Sequence, residues 1–327
     1  MQQGLVVIGH GRHYLVERTD GTRLTCRTRG KKSDCVVGDL VNFVMSEDEG
    51  VIESVAPRRN LLWRQDEWKT KSFAANIDQL LVLVAVEPVF SESQLARALI
   101  AAEFAGIRSA IALNKIDVAG ADKARERLLP YKAMGMEVLE VALKPRDGSS
   151  ESVARDLLTP WLHGKSTFVL GPSGTGKSTL INLLAPTAKA QVGEISQALN
   201  SGRHTTTTTQ WYWLDDVRPR PAGTQTDPRG VQVVLGSGPA VDLKYPSTAL
   251  IDSPGFQEFG LRQVEAAQLA KLMPDMKKHA DNCRFYNCTH QHEPGCGVRS
   301  ALESGQIAAS RYRIYGEIWA ELSSKRW

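Results

Sequence analysis

A glycine-rich loop set between a strand and a helix is the tightest constraint on this chain. Ser166-Thr167-Phe168-Val169-Leu170 has the composition of a short buried strand, and Ser178 to Leu184 that of a helix stopped by Pro186. Between them lies Gly171-Pro172-Ser173-Gly174-Thr175-Gly176-Lys177-Ser178-Thr179. Glycines at 171, 174 and 176 let the backbone wrap a phosphate chain with successive N–H groups pointing inward. Lys177 then reaches the terminal phosphate oxygens, and Ser178 offers a hydroxyl to Mg²⁺. The start of the helix faces the same anion with its positive dipole end. Ser173, Thr175 and Thr179 complete the set of expected nucleotide contacts.

Order is the second constraint. Asn114-Lys115-Ile116-Asp117 closes the strand-like run Arg108 to Leu113, so its polar side chains fall at the carboxyl end of a strand, where open α/β sheets bind ligands. A carboxylate at 117 can accept from the two guanine N–H donors, and a site built for them rejects a purine without that pair. Asn114 is expected to brace the loop, and the stem of Lys115 to cover the base. GTP-binding domains ordinarily place this motif after the phosphate loop. Here it precedes the loop, so the domain reads as a circular permutation.

Asp252-Ser253-Pro254-Gly255 follows the apolar run Thr248 to Ile251. Asp252 is expected to hold Mg²⁺ through water, and the Gly255 N–H to sense the γ-phosphate. Position 256, where many GTPases carry a water-orienting Gln, holds Phe256, which cannot hydrogen-bond water. Ser201-Gly202-Arg203-His204-Thr205-Thr206-Thr207-Thr208-Thr209 lies between the two phosphate elements. A threonine there would complete the Mg²⁺ shell in the GTP state, and His204 is placed to orient the attacking water.

Taken in order, Asn-Lys-x-Asp, Gly-x-Ser-Gly-x-Gly-Lys-Ser, Gly-Arg-His-Thr-Thr-Thr and Asp-Ser-Pro-Gly resemble the small-ribosomal-subunit-dependent GTPase family (RsgA/YjeQ) over nearly the whole chain. The resemblance implies that Thr206 is the Mg²⁺-linked switch threonine and His204 the catalytic histidine, with Lys177 and Mg²⁺ stabilising developing charge. It implies binding to the small ribosomal subunit and its rRNA during late assembly, with GTP turnover stimulated by the subunit. Two stretches depart from the family pattern. The base-contacting loop, usually Ser-Ala, is Val141-Ala142-Leu143-Lys144. The segment between the threonine run and Asp252 is longer, with Arg218-Pro219-Arg220-Pro221 and Asp227-Pro228-Arg229-Gly230 marking a solvated excursion around 215–247.

Cys283, Cys288, His290 and Cys296 are spaced Cys-x4-Cys-x-His-x5-Cys. Three thiolates and an imidazole suit tetrahedral Zn²⁺ and leave no open position, so one structural zinc per chain is expected. His292 competes with His290 for the nitrogen position. Residues 1–60 contain five short β-prone runs separated by turns, the pattern of a small barrel such as the oligonucleotide-binding fold. Arg23, Arg27, Arg29, Lys31 and Lys32 give it a basic stretch suited to RNA phosphate. Residues 61–75 are expected to be a linker that docks partly through Leu62 and Trp63. Alternating strands and helices over 76–260 indicate the permuted phosphate-loop α/β domain, and 261–327 a small helical zinc-binding domain.

The chain has 327 residues and a formal net charge of +4, too small to argue nucleic-acid binding by itself. No apolar run approaches the roughly 20 residues of a membrane span. The N-terminus lacks the pattern of a signal peptide. The expectation is a cytoplasmic monomer without membrane contact. Two other readings fit parts of the pattern: a small-molecule or nucleotide kinase, and a zinc-containing RNA-binding protein that keeps GTP as a structural or regulatory ligand.

Overall fold

The structure is a computed structural model that describes residues 1–29, 34–47, 49–65, 70–146, 148–186, 208–214, 224–226, 232–234, 248–254 and 259–324. The five N-terminal runs all form strands: β1 (Gln2–His10), β2 (His13–Arg18), β3 (Arg23–Thr28), β4 (Leu40–Ser46) and β5 (Glu49–Val55). β1 pairs antiparallel with β2 and β4, β2 with β3, and β4 with β5, while β3 runs parallel to β5. That cycle leaves no open edge, which makes a closed five-stranded barrel of the oligonucleotide-binding type. Alternation points Val6, Val16, Cys26, Val41 and Phe43 into its interior. A bulge between Val6 and Ile8 bends β1, which pairs with β4 from Gln2 to Leu5 and meets the nucleotide domain at Ile8.

Residues 61–75, expected to be a linker that docks partly through Leu62 and Trp63, contribute two strands to the fold. They fold into an antiparallel hairpin of β6 (Leu61–Gln65) and β7 (Thr70–Ala75). The cause is an apolar face: Leu62, Phe73, Ala74 and Ala75 are buried, and the Phe73 ring sits 5.9 Å from Phe168 and 5.8 Å from Phe259. Water would not hold that much aromatic and aliphatic surface in a free linker. The hairpin also grips the chain after Asp252, because Gln65 N–H donates to the Gln263 side chain at 3.0 Å and Arg262 N–H donates to the Gln65 carbonyl at 2.9 Å.

The nucleotide domain is built on β8 (Gln79–Ala85), β9 (Arg108–Asn114), β10 (Val138–Val141), β11 (Ser166–Leu170) and β12 (Gln210–Trp213). A small hairpin of β13 (Thr224–Thr226) and β14 (Gln232–Val234) precedes β15 (Ala249–Asp252). The sheet order is β10-β9-β8-β11-β15-β12, parallel except for β12. Strand β12 also pairs with β1 through Ile8 and Gln210, so barrel and sheet join into eleven strands. Helices α1 (Glu92–Phe104) and α2 (Ala121–Ala133) cover the face of Leu80, Val82 and Val84. The opposite face, with Leu81 and Leu83, is covered by α3 (Ser152–Leu162) and α4 (Lys177–Leu184). Both faces are buried, which is why β8 is continuously apolar after Gln79.

The C-terminal part is helical: a 3₁₀ helix over Ala266–Leu272, then α5 (Pro274–Ala280), α6 (Gly297–Glu303) and α7 (Ala309–Ser323). Helix α7 fastens it to the nucleotide domain. Arg311, only 2% exposed, donates to both Asp275 oxygens at 2.7 and 3.1 Å and lies 4.8 Å over the Tyr131 ring of α2. Further along α7, Glu321 pairs with Arg97 of α1. Among the described residues no helix is long and apolar enough to cross a membrane.

Candidate functional site

Parallel strands β9, β11 and β15 deliver Asn114, Gly171 and Asp252 to one edge of the sheet. A cavity of about 490 Å³ opens there, lined by Asn114, Lys115, Asp117, Lys144, Arg146, Ser173, Gly174, Gly176, Lys177, Ser178, Thr179, Asp252 and Ser253. The carboxylate of Asp117 and the ammonium of Lys177 therefore face the same space, despite their reversed order in the chain.

Asn114 ties the two ends of the cavity together. Its amide donates to the Thr175 carbonyl at 2.8 Å, and its oxygen accepts from the N–H groups of Lys115 at 2.8 Å and Leu143 at 3.0 Å. Gly176, with φ +107°, must lack a side chain because a Cβ would run into that amide. Lys115 has a left-handed φ of +63°, which turns its side chain across the phosphate loop. Its ammonium donates to the carbonyls of Glu87 at 2.5 Å and Gly174 at 3.0 Å. Asp117 accepts the Arg146 N–H at 2.8 Å, which brings the 142–146 loop alongside the motif.

The Lys177 ammonium donates to the Gly171 and Pro172 carbonyls at 2.7 and 2.9 Å, and Thr175 closes the loop with a hydroxyl bond to Pro172 at 2.9 Å. Asp252 is buried, and its Oδ1 has no hydrogen-bond partner among the described residues. Burial pushes its carboxyl up to about 6, opposed by the nearby Lys177 ammonium. Burial lowers the Lys177 pKa, and Asp252 counteracts that shift. Ser253 anchors the following turn by donating to the Val169 carbonyl at 2.8 Å.

Far from this cavity, Cys283, Cys288, His290 and Cys296 bring their ligand atoms within 4.8 Å of one another, a cluster that could hold one metal ion. His290 Nδ1 lies 3.4 Å from Cys283 Sγ and 3.5 Å from Cys296 Sγ, and those sulfurs are 3.9 Å apart. The backbone N–H groups of Gly297 and Arg299 donate to Cys283 and Cys296 at 3.3 and 3.4 Å. Tyr312 and Tyr315 of α7 hold the carbonyls of His290 and Thr289 at 2.6 and 2.8 Å. His292, the competing ligand, is exposed outside the cluster.

Comparison with known proteins decides the lineage. The sequence model of the family described as RsgA GTPase matches residues 55–218. The small ribosomal subunit biogenesis GTPase RsgA of Variovorax paradoxus is 54% identical, over 100% of this chain and 94% of that protein. This chain belongs to the RsgA GTPase family. The Burkholderia pseudomallei protein of the same name is 48% identical over 98% of this chain and 92% of its own. Among solved structures, YjeQ from Thermotoga maritima superposes with a TM-score of 0.67 at 28% identity, covering 99% of both chains. YloQ, described as a circularly permuted GTPase, shares the fold with a TM-score of 0.65 at 24% identity, over 100% of this chain and 97% of that one.

As an RsgA GTPase the chain is a GTP hydrolase with a permuted sheet. Of the residues named from its motifs, Asn114, Lys115, Asp117, Ser173, Gly174, Gly176, Lys177, Ser178, Thr179 and Asp252 line the one cavity, and Gly171 and Thr175 lie in the loop beneath it. Gly171 has no room for a Cβ against the Leu83 carbonyl. His204, Thr206, Gly255 and Phe256 fall outside the described residues. Ser253 of the Asp-Ser-Pro-Gly motif, Lys144 and Arg146 also line the cavity, and of these only Arg146 lies in no stretch named from the sequence. The bond that Asp117 accepts from the Arg146 backbone extends the loop named from the sequence at 141–144 to Arg146, and that contact exists only in three dimensions.

Proposed function

We propose that this chain binds GTP in the 490 Å³ cavity, hydrolyses it to GDP and phosphate, and acts in maturation of the small ribosomal subunit. The convergence of Asp117 and Lys177 on that cavity carries the nucleotide assignment. Asp117 would read the guanine edge, Asn114 would hold the base and phosphate loops in register, and Lys177 with the loop N–H groups would take the phosphates. The name shared by the Variovorax and Burkholderia relatives supports the ribosomal assignment. With that assignment come rRNA contact, a monomeric state and a cytoplasmic location.

Mg²⁺ fits the residues present: Ser178 opens α4 beside the buried Asp252, whose Oδ1 lacks any described partner. When bound, the ion would neutralise charge on the phosphate oxygens. Thr206 and the Gly255 N–H are assigned to the γ-phosphate side, and His204 to orienting the water that Phe256 cannot bond. Zn²⁺ fits the second cluster. A tetrahedral ion with Zn–S about 2.3 Å and Zn–N about 2.0–2.1 Å places S···S near about 3.8 Å and S···N near about 3.5 Å. The observed 3.9, 3.4 and 3.5 Å match those separations. With all four positions filled by protein, such an ion is structural.

The deciding experiment measures GTP and ATP turnover with and without purified small subunits. A large stimulation confined to GTP is expected, and its loss in His204→Ala assigns the water-orienting role. Equal turnover of ATP, or no response to subunits, would overturn the proposal.

A further inference from the structure

The loop between the first two cysteines of the metal cluster presents two aromatic rings to solvent, one of them fully and the other in part. Residues 284–287 are all exposed. Tyr286 is 102% exposed and Phe285 is 41% exposed, in a chain whose other large aromatic rings are mostly in its core. Leaving a ring of that size in water forgoes the stabilisation that burial would supply. Folding of this chain therefore does not explain the pair.

The loop is also held still. Cys283 and Cys288 root it at the metal cluster, the Arg284 N–H donates to the Gly295 carbonyl at 2.9 Å, and the Cys288 N–H closes a turn onto the Phe285 carbonyl at 3.2 Å. Rings fixed in place lose little freedom when they are covered by a partner. The surroundings select the partner's charge. Residues 271–299 carry five Lys/Arg, of which Lys277 lies 3.9 Å from Glu103, against three acids. Of those acids, Asp275 is spent on Arg311, and Glu293 accepts from the N–H groups of Thr289, Gln291 and His292. Asp281 is the one exposed carboxylate, while the Arg284 guanidinium lies 5.6 Å over the Phe285 ring.

We propose that Phe285 and Tyr286 form a stacking platform for an unpaired RNA base, with Arg284 on the adjoining phosphate. Rigid aromatic faces flanked by cations are how proteins hold single-stranded RNA. The inference rests on the ribosomal reading above and adds the residues and the kind of RNA element they take.

The test uses the full-length, zinc-loaded protein and its Phe285→Ala/Tyr286→Ala and Tyr286→Trp variants. Each is assayed for zinc content, basal GTP turnover, and binding to purified small subunits and to a short single-stranded RNA. Zinc and basal turnover should be unchanged, because neither residue belongs to the ligand set or to the lining of the nucleotide cavity. The double alanine variant should bind both RNA-containing targets roughly 5- to 150-fold more weakly per stacked base, and Tyr286→Trp should bind as wild type. A photoreactive phenylalanine at 286 should crosslink to rRNA. Undiminished binding by the double variant, or crosslinking to a ribosomal protein, would overturn the platform. Wild-type protein that ignores subunits yet loses RNA affinity in the double variant would sustain the platform and sink the ribosomal reading instead.

Discussion

Asp252→Asn should remove a specific part of the protein's pH dependence. Asp252 is buried at the end of β15, faces Lys177 without hydrogen-bonding it, and has its carboxyl pKa raised by burial from 3.8 to about 6. A raised folded-state pKa means that the native state holds its proton more tightly than the unfolded chain does. The resulting stabilisation is complete below 3.8 and is lost as pH rises through about 6. Linkage between those two values gives a loss of about 1.4 kcal/mol from pH 5 to pH 7.5. Asparagine cannot titrate, so the stability difference between wild type and Asp252→Asn should move by that amount over this interval, the wild type weakening relatively as pH rises. The measurement is urea unfolding without Mg²⁺ or nucleotide, followed by tryptophan fluorescence. Trp211 and Trp213 sit on β12, directly paired with β15. Mg²⁺ affinity of the wild type should fall towards tenfold per pH unit below about 6, because the ion must displace the proton. A wild-type-minus-variant difference that stays flat between pH 5 and 7.5 would refute the reasoning.

Asn114→Ala removes three hydrogen bonds that join β9, the phosphate loop and the 142–146 loop, and should cost about 2–4 kcal/mol in unfolding experiments. Its GTP affinity, read by titration, should drop more than its stability, since both halves of the cavity lose their common brace. Asp275→Ala strands the buried Arg311 charge and should destabilise by about 3–5 kcal/mol. Asp275→Ala should also speed proteolysis between the nucleotide and C-terminal parts. Zinc should be found at one per chain by elemental analysis. Acidification should release it, because burial already pushes the Cys288 thiol up to about 12 and protons compete with the metal there.

The strand–loop–helix of Ser166 to Leu184 was plain in the sequence because every residue type in it serves one local geometry. The barrel strands and the alternation of strands and helices over 76–260 were legible from periodicity with turn residues between. The 61–75 hairpin was not. Its strands are short, and polar residues such as Arg64, Lys71 and Ser72 mask an apolar face that only Phe168 and Phe259, distant in sequence, reveal. Strand β12 hid behind the threonine run for a similar reason: its partners are Asp252, some forty residues later, and Ile8, about two hundred earlier. In the cavity, the motif residues were recognisable by type and spacing. Arg146 was not, because a lining position is a property of the folded loop.

The registers put Ile8 opposite Gln210, Gln210 opposite Asp252, and Asp252 opposite Val169. One straight file of residues thus runs from the barrel wall to the acid beside the phosphate loop, and at the barrel end it hangs on a single pair. Strand β12 reaches the barrel a second time, where the Trp213 indole N–H donates to Glu17 at 2.8 Å. Barrel wall and buried acid are thereby flanking neighbours of one four-residue strand.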